Sequence, residues 1–574
     1  MVGGTRACEK REGSRSSIRK EGAFMADQSY DVIVIGAGHN GLIAACYLAW
    51  AGLKVAVFER DFEVGGGACS EEQPVPAFLS NPCASFTRMY TSPAWEDFNL
   101  RERGAWYYTP DVNDAVLFDD GTFLVIYPVF VNPDLKETVF IEQNLKKNYD
   151  NISKISKRDA DTALWILEKY QKKWRNAVYE FRMTPPKPWG VRDPIERLLE
   201  DPEGGINPAW QFMTVKQVAF DVFESAELRL LYMRYVEHTT GLFPQDVLPL
   251  SETLFQLAGC VGGSPATVVK GGVHSIAHAL QKALTEHGGE FFVRKEVDEI
   301  VVEGGAAKGI RLKDGSFVEA KRAVVSAVPV TTTFLRLLRN ANVNEDLLRK
   351  VENFSYDRGN IFWAWFALEE PPVYKGSEND PDVNRARRCW LLPKDLDFFA
   401  SREQAECFVK GIPDKLFLCI GQDTLIDPTR APKGKHNFLV EQFTAPARFF
   451  GEREWLKIKR EFAERVMLEW QRYAPNLTRE KFIDVWNNTP YDVTFRHIPE
   501  GSWTVGAMIA GQMGRLRPCY ELSSGRTPIR NLYLSNATQH YGGGLRGVVG
   551  YVCYKVMAED MGLRKIWEEK GRAF

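Results

Sequence analysis

The first clear pattern in the chain is an apolar run, a helix rich in small residues, and a second apolar run. Residues 30–35 form an apolar, largely β-branched run, which predicts a buried parallel strand. A helix is predicted from Leu42 to about Trp50, and residues 54–58 predict a second strand. The uncharged helical stretch is well short of the ~20 residues that a membrane-spanning helix needs. The pattern therefore predicts a βαβ unit of an α/β fold.

Beyond residue 100 the regular alternation of strand and helix is lost. Residues 157–182 and 211–236 have the spacing of amphipathic helices. Residues 183–210 carry several prolines and tryptophans and predict an irregular, lid-like connection. Frequent aromatic side chains in this region indicate either large core fillers or the wall of an apolar pocket.

Regular patterns return in the second half of the chain. Residues 267–328 predict a helix followed by strands, with a hairpin turn at Asp314-Gly315. Residues 359–372 predict a bulky strand that is apolar on both faces, as expected of a sheet between a core and a pocket. Residues 452–474 predict a charged amphipathic helix. Residues 531–535 predict a strand, which a glycine-rich turn and a helix from Leu545 follow.

Length and composition indicate a globular protein of more than one domain. The chain has 574 residues, of which 44% are hydrophobic and 26% charged, and a net charge of −2. This balance gives no argument for binding nucleic acid or an anionic membrane. Ten cysteines, none in a CxxC pair, indicate reduced thiols in a cytosol-like compartment. We expect a cytoplasmic protein without a transmembrane segment, and transient contact with a membrane surface stays open.

The first 24 residues are polar, unlike those that follow. They contain six basic and three acidic side chains and lack the apolar core of a signal peptide. We expect residues 1–24 to be disordered and Met25 to be an alternative start. A mitochondrial transit peptide is another interpretation, but the three glutamates count against it.

The turn between the first strand and its helix carries the motif G-x-G-x-x-G, with glycines at positions 36, 38 and 41. Gly36 makes the tight turn, Gly38 lets a pyrophosphate approach the backbone, and Gly41 lets the helix pack on the strand. His39 and Asn40 lie just before the predicted helix, where free amides and the positive end of the helix dipole favour phosphate. The motif, in this order of strand and helix, predicts a dinucleotide site.

The second strand ends in Glu59, eighteen residues after the last glycine of the motif. Its carboxylate is placed to accept both hydroxyls of an adenosine ribose and to repel a 2′-phosphate. Arg60 follows, and then Gly65, Gly66 and Gly67. This run resembles the extended motif of the glutathione-reductase-like flavoproteins, which include amine oxidases and carotenoid desaturases. The resemblance implies FAD, with the glycine pair beside the pyrophosphate.

Gly67 stands where many members of that superfamily have arginine. Arg60 or backbone amides would then have to neutralise the phosphates. Residues 65–72 are similar to a Gly-Gly-Ala-x-x-[Thr/Ser]-Glu-Glu segment of phytoene-desaturase-like oxidoreductases, in the phytoene dehydrogenase-related branch. The same resemblance implies that the backbone of Val297 contacts the adenine and that Ala327, in the segment VVSAVP, lies beside the flavin.

The segment LYLSNATQHYGGG resembles the C-terminal flavin motif of carotenoid desaturases, Leu-Tyr-Leu-x-Gly-x-x-x-His-Pro-Gly-Gly-Gly. His540 and the glycines are retained, whereas Asn536 and Tyr541 replace a glycine and the proline. A glycine run at a helix start would direct amides and a positive field at the flavin. The cofactor residues implied here are Gly543, Gly544 and Val548. A second nucleotide site in this glycine run is rejected, because no strand with a terminal acid follows.

His540 is the candidate catalytic residue, as a proton donor or acceptor, because the ordinary pKa of histidine lies near neutrality. The alternative is a histidine that only packs against the flavin, and Tyr541 is a weaker candidate for the pocket. His274 and His278 are spaced i, i+4 but have no third ligand at motif spacing, so no metal site is predicted. The arginines within residues 385–388 are interpreted as a solvated loop, or as a guide for an anionic group.

These patterns and the resemblance predict an α/β protein. A Rossmann-like FAD-binding domain is expected from residues 25–100, 265–335 and 500–574. It is interleaved with a mixed α+β substrate domain, expected from residues 101–264 and 336–499.

The expected function is that of an FAD-dependent oxidoreductase that transfers hydride between flavin N5 and a small hydrophobic, isoprenoid or polyene-like substrate. Desaturation is the default, and the resembling family also includes saturation and cis–trans isomerisation. An amine-oxidase-like enzyme and a flavin-binding interaction protein with vestigial chemistry remain as alternatives. Oxygen or a quinone is the expected electron acceptor, no tightly bound NAD(P)H is expected, and the oligomeric state stays open.

Overall fold

Two seven-stranded sheets organise the protein. The computed structural model describes residues 28–85, 87–131, 139–263, 267–356 and 358–574, so the expectations for residues 1–24 and Met25 lie outside the described residues. In chain order the strands of the two sheets are Ser29–Ile35 (β1), Val55–Phe58 (β2), Asp114–Phe118 (β3), Phe123–Ile126 (β4), Glu290–Phe292 (β5), Val297–Glu303 (β6), Ala306–Leu312 (β7), Phe317–Ser326 (β8), Asn360–Leu368 (β9), Arg388–Leu392 (β10), Leu418–Gly421 (β11), His436–Thr444 (β12), Phe482–Asn488 (β13) and Leu532–Leu534 (β14).

The first sheet has the order β5-β2-β1-β8-β7-β6, and β14 pairs with the end of β8. Five of its strands, β5, β2, β1, β8 and β14, run parallel, while β6, β7 and β8 form an antiparallel meander. Both faces of β1 are buried, with Val32 and Val34 in one core and Ile33 and Ile35 in another. The continuous apolar run is what such a doubly covered parallel strand requires. The carboxyl ends of the parallel strands meet at one edge, where α/β folds bind ligands.

The second sheet has the order β13-β9-β12-β11-β10-β3-β4 and is antiparallel except between β10 and β3. All of β9 is buried. Phe362 and Phe366 pack into one core and Trp363 and Trp365 into another, so β9 separates two apolar layers as its sequence predicts.

Helices cover both sheets. Among the described residues, those of eight or more residues are His39–Trp50 (α1), Glu142–Ser153 (α2), Lys157–Lys169 (α3), Arg175–Met183 (α4), Val215–Val222 (α5), Ala226–Thr240 (α6), Leu250–Ala258 (α7), His274–Glu286 (α8), Glu345–Glu352 (α9), Glu403–Lys410 (α10), Glu452–Tyr473 (α11) and Val548–Met561 (α12). The core on one face of the first sheet contains apolar side chains of α1, α8 and α12. In the described ranges, no helix has both the length and the hydropathy needed to cross a membrane.

Three local predictions are wrong in detail. The helix predicted over residues 211–236 is two helices, α5 and α6, because Ser225 caps a new start by accepting the Leu228 amide. The last long helix starts at Val548 and not at Leu545, because Gly547 has a left-handed φ of +69°.

The basic cluster is also not a solvated loop. Of its three arginines only Arg385 is exposed, whereas Arg387 and Arg388 are buried. Arg387 pairs with Asp423 and Arg388 with Asp114. Burial of a guanidinium is tolerable when a carboxylate neutralises it, and these carboxylates lie far away in the sequence.

Candidate active site

Three glycines shape the turn after β1. Gly36 has a φ of +94°, which favours glycine. A Cβ on Gly41 would lie 2.3 Å from the Gly36 carbonyl oxygen and 2.8 Å from the Ala327 Cβ, so a side chain would force α1 off the sheet. A Cβ on Gly38 would meet no atom within 4 Å. The turn is closed towards the sheet and open at Gly38, the side from which a phosphate would approach.

The start of α1 lies at this opening. No side chain caps the helix at Gly38, and its first turn holds no acidic residue, so its amides are available to an anion. His39 Nε2 and Asn40 Oδ1 are buried there without a hydrogen-bond partner among the described residues. Burial lowers the pKa of His39 to about 4, and a backbone hydrogen bond with Gly544 opposes the shift. His39 is therefore neutral at pH 7, and Gly544 lies beside it.

The second glycine segment lies directly against the first. Gly65 donates its amide to the Ala37 carbonyl at 2.8 Å and forms a parallel bridge with Gly38. A Cβ on Gly66 would lie 3.2 Å from the Gly38 Cα. A Cβ on Gly67 would touch only the Cys83 Cβ, at 3.9 Å. Close backbone contact thus explains glycine at 65 and 66, whereas nothing in the described structure requires it at 67.

The acid at the end of β2 reaches the same turn. Glu59 accepts hydrogen bonds from the amides of Ala37 and Asp61, at 2.8 and 3.0 Å. Val297 begins β6, and the segment just before it donates a 2.8 Å backbone hydrogen bond to the Glu59 carbonyl. Burial lowers the pKa of Arg60, which has Asp61 and Glu59 as its nearest opposing charges. The structure thus brings Glu59, Arg60 and Val297 together at the far end of the turn.

The carboxyl-terminal glycine run meets the start of α1 from the other side. A Cβ on Gly543 would lie 1.7 Å from the Thr504 carbonyl oxygen, so no side chain fits there. The buried Val548 opens α12, and Gly550 in its first turn faces α1 so closely that a Cβ would lie 2.4 Å from the Asn40 carbonyl oxygen. The starts of α1 and α12 therefore lie together at one edge of the first sheet.

His540 is buried beside this turn with one nitrogen engaged. Its Nε2 lies 2.7 Å from the Phe181 carbonyl oxygen, which can only accept, so Nε2 carries the proton. Nδ1 is then an acceptor, and it has no partner in the described part of the chain. Burial lowers the pKa of His540 to about 4, which the Phe181 hydrogen bond only partly opposes. In this environment the pKa of His540 is therefore below the ordinary value of histidine, and its role as a catalytic residue stays a prediction.

Tyr541, the next residue, belongs to a small buried apolar cluster. It packs with Phe181, Met508 and Met513. Its hydroxyl accepts a 3.1 Å hydrogen bond from Arg182. The Arg182 guanidinium carbon also lies 4.7 Å from the centre of its ring, and that of Arg546 lies 5.1 Å away.

Sequence reasoning missed the charged residues next to the apolar cluster of Tyr541, which are Arg88, Arg182, Glu252 and Arg546. Arg182 and Glu252 fall in the region without motifs. Arg546 follows the glycine run by two positions, and this proximity was the signal that could have identified it.

Within the described residues, the two glycine turns and the segments beside them carry several buried polar atoms without a hydrogen-bond partner. They belong to His39, Asn40, Asn536, Gln539 and His540. Buried polar groups are normally paired, so such a row indicates a polar ligand. The uncapped helix start, the open face of Gly38 and these atoms fit a dinucleotide that runs from β6 towards the carboxyl-terminal glycine turn.

The histidine pair of α8 has an ordinary environment. His274 and His278 have ring centres 4.2 Å apart, and His274 Nε2 lies 2.9 Å from the Val64 carbonyl oxygen.

Elsewhere in the described residues, ligand atoms of His238, Cys419 and Glu441 lie within 4.8 Å of one another. His238 and Glu441 already pair at 2.7 Å, and the arginines around them oppose a cation.

Comparisons with known proteins agree with this geometry. The model of the family "Flavin containing amine oxidoreductase" matches residues 41–549. The chain is 29% identical over 561 residues to a limonene dehydrogenase subunit of Castellaniella defragrans, covering 94% of this chain and 96% of that protein. It is 28% identical over 284 residues to a neurosporene-forming phytoene desaturase of Cereibacter sphaeroides, covering 49% and 51%.

A solved structure supports the fold. Wild-type putrescine oxidase bound to putrescine superposes with a TM-score of 0.55 at 16% identity, covering 93% of this chain and 99% of that one. These matches confirm the predicted α/β FAD-binding fold, the desaturase-like resemblance and FAD as the cofactor.

Proposed function

This chain belongs to the family of flavin containing amine oxidoreductases, and we propose that it is an FAD-dependent dehydrogenase or desaturase of an apolar, isoprenoid-like substrate. Bound FAD supplies the hydride acceptor. The observation that carries the proposal is the apolar cluster of Phe181, Met508, Met513 and Tyr541 beside the carboxyl-terminal glycine turn, which we propose forms one wall of the substrate pocket. A wall of this kind holds hydrocarbon and excludes water from the reacting carbon.

The relatives support this substrate class. One is named for limonene, a terpene hydrocarbon, and matches nearly the whole chain. Another is named for phytoene, an isoprenoid polyene, and matches about half of it. Desaturation removes a hydride and a proton from neighbouring carbons; the hydride would go to bound FAD and the proton to a neutral base, and the two electrons would then pass to an acceptor, for which we propose oxygen or a quinone. We also propose a cytoplasmic location with transient membrane-surface contact, because such substrates partition into membranes.

We propose the following roles for the residues of the site. The amides at the start of α1 and Gly66 bind the pyrophosphate, Glu59 binds the ribose, and the Val297 backbone contacts the adenine. His540 stays neutral and offers Nδ1 as a hydrogen-bond acceptor in the cleft. It orients the bound groups and is a poor proton donor at pH 7, because its pKa is about 4.

The amine-oxidase alternative fits the fold but not the local charge. Arg182 and Arg546 flank Tyr541, and their field would repel an ammonium group entering the site. An interaction protein with vestigial chemistry would bind FAD, but neither a terpene nor an amine would reduce its flavin.

The test is anaerobic mixing of the purified FAD-loaded protein with limonene, phytoene, putrescine or cyclohexylamine, while the absorption of oxidised flavin is recorded. Bleaching by a terpene and not by an amine would support the proposal. Bleaching by an amine alone would refute it in favour of an amine oxidase, and no bleaching by any of the four would favour the vestigial interpretation.

A further inference from the structure

Four buried charged side chains lie behind the Tyr541 ring. Arg182 lies 2.6 Å from Glu252, and Arg546 lies 3.8 Å from the same carboxylate. Arg88 joins them through Phe255, whose ring centre is 4.6 Å from the Arg88 guanidinium carbon and 3.9 Å from that of Arg182. The relative exposures of Arg88, Arg182, Arg546 and Glu252 are 9%, 5%, 8% and 0%. We call these three arginines with Glu252 the guanidinium cluster.

Backbone contacts bring distant segments into this cluster. The amide of Arg88 donates to the Leu545 carbonyl at 3.2 Å, and the Thr87 hydroxyl donates to the same oxygen at 2.9 Å. Arg88 and Arg546 are therefore held side by side. Arg182 lies in the last turn of α4 and Glu252 lies in α7, so the cluster joins helices of the middle region to the carboxyl-terminal glycine turn.

The charges within the cluster do not balance. Burial alone would raise the pKa of Glu252, but Arg182 and Arg546 outweigh it and hold the pKa below its ordinary value, so Glu252 is ionised. Burial lowers the pKa of Arg546 to about 9, which still leaves it cationic at pH 7. Three positive charges thus face one negative charge, and the remainder of two is buried in a low-dielectric interior.

Other buried arginines in the described structure have carboxylates or carbonyl groups against them. Arg517 donates to a ring of backbone carbonyl groups, including those of Ala507, Ala537 and Gln539. Arg388 pairs with Asp114, Arg234 with Glu237, and Arg515 with Asp193 and Glu196, while Arg387 and Arg430 share Asp423.

Donor atoms in the cluster are also unused. Arg88 Nε, Arg182 Nε and Arg546 Nη1 are buried and have no hydrogen-bond partner among the described residues. Guanidinium groups bind carboxylate and phosphate oxygens through just such N–H donors. The unused donors and the excess of positive charge suit an anion of one or two charges.

We propose that the guanidinium cluster binds an anionic oxygen group, a carboxylate or a phosphate ester, at one end of an otherwise apolar substrate. The inference rests on the proposed function and refines its substrate class. The hydrocarbon part would extend from the cluster along Phe181, Met508 and Met513, past His540. Two of the arginines flank Tyr541, so the anionic end fixes which carbon of the chain lies beside the reacting centre.

The experiment compares three probes that share a C20 isoprenoid chain: geranylgeranic acid, geranylgeranyl phosphate and the neutral alcohol geranylgeraniol. Dissociation constants with the FAD-loaded protein are measured by calorimetry and by the shift of the flavin spectrum, neither of which needs turnover. We expect an anionic probe to bind at least about tenfold more tightly than the alcohol, because it gains charge-assisted hydrogen bonds. The tighter anionic probe identifies the group as carboxylate or phosphate.

Arg546→Met and Arg88→Met are the test variants, and each should reduce the preference to about twofold or less. Arg182 is left intact, because its loss would leave Glu252 buried without its nearest partner. Arg385→Met is the matched control, since Arg385 is exposed and pairs with Asp382, and it should keep the full preference. Should a methionine variant fail to hold FAD, Arg546→Lys keeps the charge without the planar fork and should retain part of the preference.

Equal binding of acid, phosphate and alcohol by the unmodified protein would overturn the inference, as would an undiminished preference in both methionine variants. Failure of the proposed function has a different signature. A protein that terpenes bleach but that shows no preference for anions keeps the function and loses the inference. A protein that prefers anions and is bleached neither by the terpenes nor by the two anionic isoprenoid probes loses the function.

Discussion

Replacing Gly38 by alanine separates cofactor binding from folding. Gly38 has φ and ψ of −64° and 160°, which any residue adopts, and a Cβ there would meet no protein atom within 4 Å. The protein should therefore fold normally. The methyl group would instead occupy the open face of the turn, where the proposed pyrophosphate lies against the backbone.

The size of the effect follows from the contacts that a displaced phosphate would lose. Each hydrogen bond from a backbone amide to a charged oxygen contributes about 1.5–3 kcal/mol. Loss of two such bonds weakens FAD binding by about 3–6 kcal/mol, which is at least a 100-fold increase in Kd. The FAD-free protein should change in stability by less than about 1 kcal/mol, because the gain from removing a flexible glycine and the loss of a glycine helix cap are both small.

Titration of FAD-free protein with FAD, followed by quenching of flavin fluorescence, measures the affinity, and thermal unfolding measures the stability. Gly41→Ala is the matched comparison, because its Cβ would lie 2.3 Å from the Gly36 carbonyl oxygen and should lower Tm before any ligand is added. An alanine at position 38 that binds FAD as tightly as glycine would refute the placement of the phosphates.

Further predictions concern single side chains and pH. Glu59→Ala should weaken FAD binding about tenfold and leave the fold intact, and unchanged affinity would mean that the ribose is held elsewhere. His540→Ala should retain FAD but slow flavin reduction by the substrate, and an unaltered rate would reduce His540 to packing. Arg546→Met should raise Tm of the FAD-free protein, since a poorly compensated buried cation is removed; a clear decrease would contradict the charge count. The pKa values of His39, His238 and His540 are about 4 in the folded state, below the ordinary 6.5, so their contribution to stability is present above pH 6.5 and lost as pH falls towards 4. These three histidines should together contribute close to three protons to the uptake on unfolding between pH 4 and 6.5, and the His540→Ala variant should take up about one fewer than the unmodified protein.

The glycine turns could be predicted from sequence because their physics is local. Gly36, Gly38 and Gly41 fall within six residues, and their spacing alone implies a turn, an open face and a close helix contact. The burial of both faces of strand β9 could also be predicted, because a strand that is apolar on both faces has to be buried on both. The predicted start of α12 is three residues too early, because Gly547 adopts a left-handed conformation. The glycine-rich sequence before it does not reveal this conformation.

The guanidinium cluster could not be predicted, because no local pattern connects its members. Arg88 and Arg546 become neighbours because the Thr87 hydroxyl donates a hydrogen bond to the Leu545 carbonyl, 458 positions away. The burial of Arg388 depends in the same way on Asp114, 274 positions away. A charged residue in isolation is expected at the surface, and only the fold supplies the partners that change this expectation.

The strand order of the first sheet determines when its parts become available during synthesis. A ribosome that has translated 500 residues has produced every strand of the second sheet, but β8 still lacks its neighbour β14 and α1 still lacks α12. The growing chain therefore carries an open strand edge and an uncovered helix, both of which invite association with other chains. Residues 532–561 add the last strand of the first sheet and the helix that covers α1, so the proposed FAD site is complete only after they have been synthesised.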